Sequence, residues 1–276
     1  MKKRVFGILI FLFLINLFAW DYFFELKNRE YLKVVFFDVG QGDSIFIETP
    51  SFNQILIDGG PSNKVLEKLS KNMPFWDRTL DLIVLTHPDH DHIFGLLEVL
   101  KSYEVENILW TGVFKKSAEH KEWVDLIEKE GSNIIISQKD LKIFSKNTEM
   151  EVVYPLEVLE NEEVRNFNDS SIVLKLDFKE STFLFTGDIT SSAERVLKDI
   201  DTDLLKVAHH GSKESTSEEF LKETSPIIAV ISSGENNSYG HPHKEVLERL
   251  KGVEVLRTDK KGDIEIINNG RTFFFD

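Results

Sequence analysis

Seven of the eight histidines in this chain fall at the ends of short apolar runs, and that placement limits the fold more than any other feature. The densest cluster is Thr86-His87-Pro88-Asp89-His90-Asp91-His92. It follows the apolar run Asp81–Leu85 and precedes helical spacing that begins at Ile93. Three imidazoles and two carboxylates in six residues have little use in packing. Alternation puts His87 and Asp89 on one side and turns Asp91 and His92 to another, which suits two adjacent metal ions rather than one. Neutral imidazole and carboxylate are competent ligands for Zn²⁺ and Mn²⁺. The alternative, a solvated polar turn, leaves the concentration of His with Asp unexplained.

Three further stretches end apolar runs in the same way. Phe185-Thr186-Gly187-Asp188 carries one Asp after Gly, alone no more than a helix N-cap, but beside the first cluster a candidate bridging carboxylate. In Val207-Ala208-His209-His210-Gly211-Ser212 the adjacent imidazoles point different ways. One can bind metal and the other not; His209 is the ligand candidate and His210 the catalytic one, with Ser212 as a supporting group. Asn236 to His243 is a polar loop after Ile227–Ser232 that could supply a ligand, a proton donor or a substrate contact. His241 is its stronger candidate. Asn236 and His243 are substrate-side or supporting candidates, and His243 could equally lead into the next helix. His120, among Lys and Glu, reads as a solvated helix surface. Asp38 to Ser44 and Ile57-Asp58-Gly59-Gly60 are Gly-rich but lack the Lys and Ser/Thr ending of a phosphate-cradling loop. They read as tight turns, with Asp58 placed to orient a metal-bound His from behind.

Around these loops, strands and helices alternate. Lys33–Val39, Ser44–Glu48 and Gln54–Ile57 form an antiparallel opening meander. Further strands are expected at Asp81–Leu85, Asn107–Trp110, Asn133–Ser137, Glu149–Tyr154, Ser171–Asp177, Thr182–Phe185, Leu204–Ala208, Ile227–Ser232, Val253–Leu256, Asp263–Ile267 and Thr272–Phe275. Helices are expected at Asn63–Lys71, Ile93–Tyr103, Ser117–Glu130, Ser191–Lys198, from Ser217, and at His243–Leu250. Two halves, each strands then helix, predict two sheets face to face with helices outside. The expected division is residues 1–30 as a leader or anchor and 31–276 as one domain.

Lys2, Lys3 and Arg4 precede an apolar run from Val5 to Trp20, broken only by Asn16. A basic flank before such a run reads as a signal peptide or signal anchor, with the N-terminus inside and the body exported. Beyond residue 30 the chain has 28 Lys and Arg against 44 Asp and Glu, a net charge of −16. That argues against wrapping duplex DNA with positive charge, though not against a nuclease whose metals meet the phosphate. With no cysteine, disulfides, thiolate metal sites and a Cys nucleophile are excluded.

Six motifs in order carry a family resemblance: Phe37 to Ser44, Leu56 to Gly60, Leu85 to His92, Phe185 to Asp188, Leu205 to Ser212 and Tyr239 to His243. They resemble the metallo-β-lactamase superfamily, and within it the soluble domain of ComEC-type DNA-uptake proteins, from Tyr31 to Asp276. The resemblance implies an α/β fold, a four-layer αββα sandwich with metals between the sheet edges, here preceded by one N-terminal hydrophobic helix. Carried over by position, His87, Asp89, Asp91 and His92 match the first metal motif and Asp188 the bridging Asp. His209 or His210 matches a late His, and His241 a further active-site residue. Asp89 stands where the superfamily more often has His. The added oxygen moves metal preference toward Mn²⁺ without excluding Zn²⁺. The usual His between the first motif and the bridging Asp has no counterpart in context; Asn168, Asp169 or Ser170 are the candidates for its place. The multi-span channel of the DNA-uptake proteins is not matched here, so no channel function is carried over.

The expected protein is an exported, metal-dependent hydrolase with two divalent ions, Zn or Mn. It acts on phosphodiesters, with DNA the favoured polymer, and is attached to the membrane or secreted. Asp91 and Asp188 serve the metals in catalysis, and His210 or His241 protonates the leaving oxygen. Contact with DNA-uptake machinery follows from the resemblance. Two alternatives are a hydrolase for a smaller exported phosphoester, lactone or amide, and a non-catalytic surface binding module.

Overall fold

Consecutive residues of the first strand go to different cores. Val34 and Phe36 join one apolar cluster, and Val35 and Phe37 another. A strand covered on both faces needs this continuous apolar run, and most of the central strands share it.

The computed structural model describes residues 2–27 and 30–275. Met1, Asn28, Arg29 and Asp276 lie outside the described residues, and with them the start of the expected leader and its junction with the body. The elements run α1 (Lys2–Lys27), β1 (Leu32–Phe36), β2 (Ile45–Glu48), β3 (Gln54–Ile57), α2 (Lys64–Asn72), β4 (Thr79–Leu85), α3 (His90–Leu100), β5 (Glu104–Trp110), α4 (Ala118–Glu130), β6 (Asn133–Ile136), β7 (Lys142–Ser145), β8 (Thr148–Tyr154), β9 (Val173–Phe178), β10 (Ser181–Phe185), α5 (Ser191–Glu194), β11 (Leu204–Lys206), α6 (Glu218–Thr224), β12 (Ile228–Ile231), α7 (Lys244–Arg249), β13 (Glu254–Arg257), α8 (Thr258–Lys261), β14 (Ile264–Asn268) and β15 (Phe273–Phe275).

Eight strands form one sheet, ordered β15-β14-β1-β2-β3-β4-β5-β6, and seven the other, β13-β12-β11-β10-β9-β8-β7. The meander β1-β2-β3 is antiparallel, after which β3, β4, β5 and β6 pair in parallel. The central core lies between the sheets and includes Phe36, Val84, Leu174, Phe185 and Val230. A second cluster packs α2, α3 and α4 on the outside of the first sheet, through Val65, Leu69, Leu96, Trp123 and Ile127. Two smaller clusters pack α5, α6 and α7 on the second sheet, through Ala193, Phe220 and Val246. Each such side chain contributes ~1.5–3 kcal/mol when fully buried.

β1, β3 and β4 run the same way, as do β10, β11, β12 and β13. Phe36, Leu85, Phe185 and Lys206 therefore end strands at one end of the sandwich, the upper end. Leu32, Thr79, Ser181 and Leu204 begin strands at the lower end. Every His-bearing loop of the sequence leaves an upper strand end.

Several details differ from expectation. His120 is buried, not solvated: its Nε2 meets Val113 O at 3.0 Å and it packs beside Trp110 and Phe114. Helix α5 is a single turn ending at Glu194 rather than Lys198. Strand β7 and helix α8 were not expected; β7 is a short edge strand whose Phe144 is exposed. The side chains of Arg4–Trp20 in α1 are exposed. Among the described residues, no helix is long and apolar enough to cross a membrane.

Candidate metal centre

Two glycines set helix α3 against the end of β3. A Cβ on Gly95 would lie 1.9 Å from Gly59 O, and one on Gly59 would lie 2.3 Å from Leu96 N. Only bare backbone permits this approach. It is locked by Gly59 N donating to His92 O at 2.8 Å and Gly95 N to Gly60 O at 2.9 Å. His92 is thereby carried to Asp58. Asp58 is fully buried, and its Oδ1 accepts from Thr86 N at 2.9 Å. Its Oδ2 accepts from Thr86 Oγ1 and meets His92 Nδ1, both at 2.7 Å. A carboxylate on Nδ1 keeps the proton there and turns the Nε2 lone pair outward.

Three imidazoles and a carboxylate converge from both sheets. His92 Nε2 is 3.3 Å from Asp188 Oδ2, and His210 Nε2 is 3.2 Å from the same oxygen. His210 Nε2 is also 3.3 Å from Asp91 Oδ2, while its Nδ1 meets Ser232 O at 2.9 Å. The His87 and His92 rings lie 4.1 Å apart. His87 Nδ1 is 3.1 Å from Thr86 Oγ1 and 3.2 Å from Ser171 Oγ, and Ser171 Oγ accepts from Asp188 N at 3.1 Å. His209, His210 and Asp58 all have left-handed backbone, with φ of 49°, 54° and 56°. Non-glycine residues there cost ~1–3 kcal/mol each and cluster at functional sites.

The electrostatics follow from burial of opposite charges. Burial alone would lower His92 and His210. Asp188 overrides it in both, helped by Asp58 at His92 and Asp43 at His210, and both stand well above the usual imidazole value. Burial would raise Asp188, but His210, His92 and Lys206 hold it well below the usual carboxylate range. His87, with burial dominant and His92 beside it, is pushed down to about 4.

The buried atoms left without hydrogen-bond partners include His87 Nε2, His92 Nε2, His210 Nε2, Asp188 Oδ1 and Asp43 Oδ1. Such orphans are costly, ~1–3 kcal/mol each. Imidazole nitrogens and carboxylate oxygens are donors suited to Zn²⁺ or Mn²⁺, so the residues present fit divalent metal. Four groups bring their ligand atoms within 4.8 Å of one another. They are His87, His92 and Asp188; Asp91, His92 and His210; Asp43, Asp58 and His92; and Asp43, Asp188 and His210.

The other candidates lie farther out. Asp89 Oδ1 pairs with Lys115 Nζ at 2.5 Å, while its Oδ2 stays 3.7 Å from His87 Nε2. His209 is 4.0 Å from Asp188 Oδ2, with Asn168 Nδ2 at 3.4 Å from its ring. His241 Nδ1 is 3.4 Å from Gln41 Nε2, and its ring lies 5.7 Å from that of His209 and 4.9 Å from that of His243. Burial and the imidazoles of His210 and His209 push His241 down to about 4. Asp169 accepts from Thr190 N and Oγ1, Ser170 donates to Phe167 O, and Ser212 N donates to His209 O. His243 Nδ1 accepts from Lys213 N at 3.2 Å. Asn236 is an exposed turn residue with φ of 55°.

Two participants escaped the sequence reading. Asp43 is buried with its Oδ1 3.4 Å from His210 Nδ1. Lys206, wholly buried, pairs its Nζ with Asp43 Oδ2, donates to Gly187 O at 2.9 Å and lies 3.5 Å from Asp188 Oδ1. A lone Lys inside the apolar run Leu204–Ala208 was the available signal.

Comparison with known proteins agrees with this fold. Residues 37–235 match the family model described as the metallo-beta-lactamase superfamily. The chain belongs to that superfamily, whose members are generally metal-dependent hydrolases that often hold two divalent ions. It is similar to ComE operon protein 3 of Bacillus subtilis, 32% identical over 256 residues, 84% of this chain and 32% of that protein. It is also similar to Competence protein ComA of Neisseria gonorrhoeae, 29% identical over 247 residues, again 84% and 32%. The chain thus spans about a third of the length of the curated relatives it matches. Among solved structures, the fold is shared with Igni18, a metallo hydrolase of the archaeon Ignicoccus hospitalis. The TM-score is 0.56 at 16% identity, over 85% of this chain and 98% of that one.

Proposed function

We propose that this protein is a phosphodiesterase acting on DNA outside the cytoplasmic membrane, through two divalent ions held between the sheet ends. The observation that carries the metal reading is the convergence of His87 Nε2, His92 Nε2, His210 Nε2 and Asp188 Oδ1, all buried and all without a hydrogen-bond partner. His87, His92 and Asp188 would hold one ion, and His210, 3.3 Å from Asp91 and 3.2 Å from Asp188, would adjoin the other with those carboxylates. Three carboxylates at the cluster, Asp43, Asp91 and Asp188, favour Mn²⁺, with Zn²⁺ also competent. Metal bound there supplies a water of lowered pKa and polarises a phosphoryl oxygen.

The surrounding residues take defined parts. Asp58 keeps the proton on His92 Nδ1, and Ser232 O keeps one on His210 Nδ1. Lys206 balances Asp43 and Asp188 within the buried cluster. His210 faces the carboxylates with both ring nitrogens, so the ligand role passes to it from His209. His209 and His241, at the mouth, are left to hand a proton to the leaving oxygen. A phosphate beside them favours their charged forms.

The DNA substrate is supported by the similarity to proteins named for competence. Export and membrane attachment are supported by the basic flank and the apolar run of α1. The test is hydrolysis of single-stranded DNA by the full chain and by Asp188→Ala, with small chromogenic esters alongside. Cleavage of DNA that Asp188→Ala abolishes without altering the circular dichroism supports the proposal. Cleavage of the small esters alone moves the substrate to a smaller phosphoester, lactone or amide. Full activity in Asp188→Ala overturns the site assignment.

A further inference from the structure

The loop between α2 and β4 exposes two large aromatic rings that the metal centre does not use. Phe75 is 82% and Trp76 72% exposed, and they meet edge-on with centroids 4.7 Å apart. Exposed Trp and Phe at a loop tip carry a standing cost in water, and the membrane interface is where such amphipathic rings are favoured.

The position of this tip decides between an incidental patch and a docking surface. Trp76 lies three residues before Thr79, the lower end of β4. Leu32, where β1 begins, is also at the lower end, because β1, β3 and β4 run the same way. Three inter-strand steps separate β1 from β4, ~14 Å at ~4.8 Å each. Helix α1 ends at Lys27 and β1 starts at Leu32, a tether that reaches at most ~18 Å. Phe144, 69% exposed, is at the same end, since the adjoining Ser145 Oγ donates to Asn53 Oδ1 at 2.7 Å in the β2–β3 turn. The metal centre is at the opposite end.

We propose that the Phe75–Trp76 tip is a membrane-docking element that inserts into the lipid interface beside α1. The sandwich would then stand on its lower end with the metal centre facing away from the bilayer. The proposal rests on reading α1 as the membrane-attached segment; it is independent of the hydrolytic reading. The partner is the apolar interface of the bilayer rather than anionic headgroups. The body carries −16, and near this end Lys71 pairs with Glu67, Lys179 with Glu30 and Arg271 with Glu180, while Arg78, two residues from Trp76, is held against the Tyr103 hydroxyl and ring.

The test uses the full chain in phosphatidylcholine vesicles with brominated acyl chains, in a Trp20→Phe background that removes the indole of α1. Trp110 and Trp123 remain as internal controls; Trp123 is fully buried. The expected result is co-sedimentation with vesicles and a loss of emission in brominated lipid that disappears in Trp20→Phe/Trp76→Phe. Co-sedimentation without Trp76-dependent quenching overturns the docking tip and leaves the anchor reading standing. Failure to co-sediment overturns both. A dimer that depends on Trp76, with no quenching, would assign the tip to a second copy and also overturn it. Hydrolysis of soluble substrate is unaffected in every variant, so a failure here is distinct from failure of the catalytic reading.

Discussion

Asp58→Asn changes one atom at the base of the cluster and should disable a ligand it never exchanges. Oδ1 keeps its bond from Thr86 N at 2.9 Å. The amide NH₂ then takes the place of Oδ2, at 2.7 Å from both His92 Nδ1 and Thr86 Oγ1. Thr86 Oγ1 can turn to accept, but His92 Nδ1 must give up its proton to do so. The proton moves to Nε2, the atom facing Asp188, and a protonated nitrogen cannot ligate. Flipping the amide instead loses the bond from Thr86 N. The left-handed φ of 56° is no obstacle, since Asn adopts it readily. Loss of such an orienting partner lowers metal affinity by roughly 10–100-fold, or ~1.4–2.7 kcal/mol. Calorimetric titration of the metal-free protein with Mn²⁺ or Zn²⁺ measures it, with circular dichroism confirming the fold. Affinity equal to that of the unaltered protein would refute the tautomer argument.

Two further outcomes follow from the buried charges. Lys206→Met removes the ammonium that faces Asp43 and Asp188, leaving Asp43 Oδ2 buried without its cation at a cost of up to ~3–5 kcal/mol. Urea unfolding of the metal-free protein should show it; an unchanged midpoint would contradict the pairing. His92 and His210 stand well above the usual imidazole value without metal, so each holds a second ring proton more tightly than a free imidazole does. Ligation through Nε2 expels those protons, so metal affinity must rise as pH rises through neutrality. Calorimetry in buffers of different ionisation enthalpy should register proton release, and a buffer-independent enthalpy would contradict it.

The first cluster was legible because its side chains are neighbours in sequence. His87, Asp91 and His92 come from one strand end and the helix that follows it, and Asp188 from a similar strand end in the other sheet. Asp43 and Lys206 were not legible as partners, because their contact is made only when the two sheets meet. His120 was misread from its charged neighbours. Its inward direction was available in the spacing His120, Trp123, Ile127, which lines one face of α4 against the sheet. Strand β7 pairs on one side only and alternates exposed and half-buried residues, so no apolar run announced it. The inward turn of His210 was beyond sequence, since it depends on two successive left-handed residues.

The central claim is that the buried cluster holds metal. Elemental analysis of the purified full chain, before and after supply of Mn²⁺ and Zn²⁺, tests it most directly, with a His87→Ala/His210→Ala variant beside it. Two divalent ions per chain, lost in the variant, is the predicted result. No stoichiometric metal after both ions have been supplied would contradict the account.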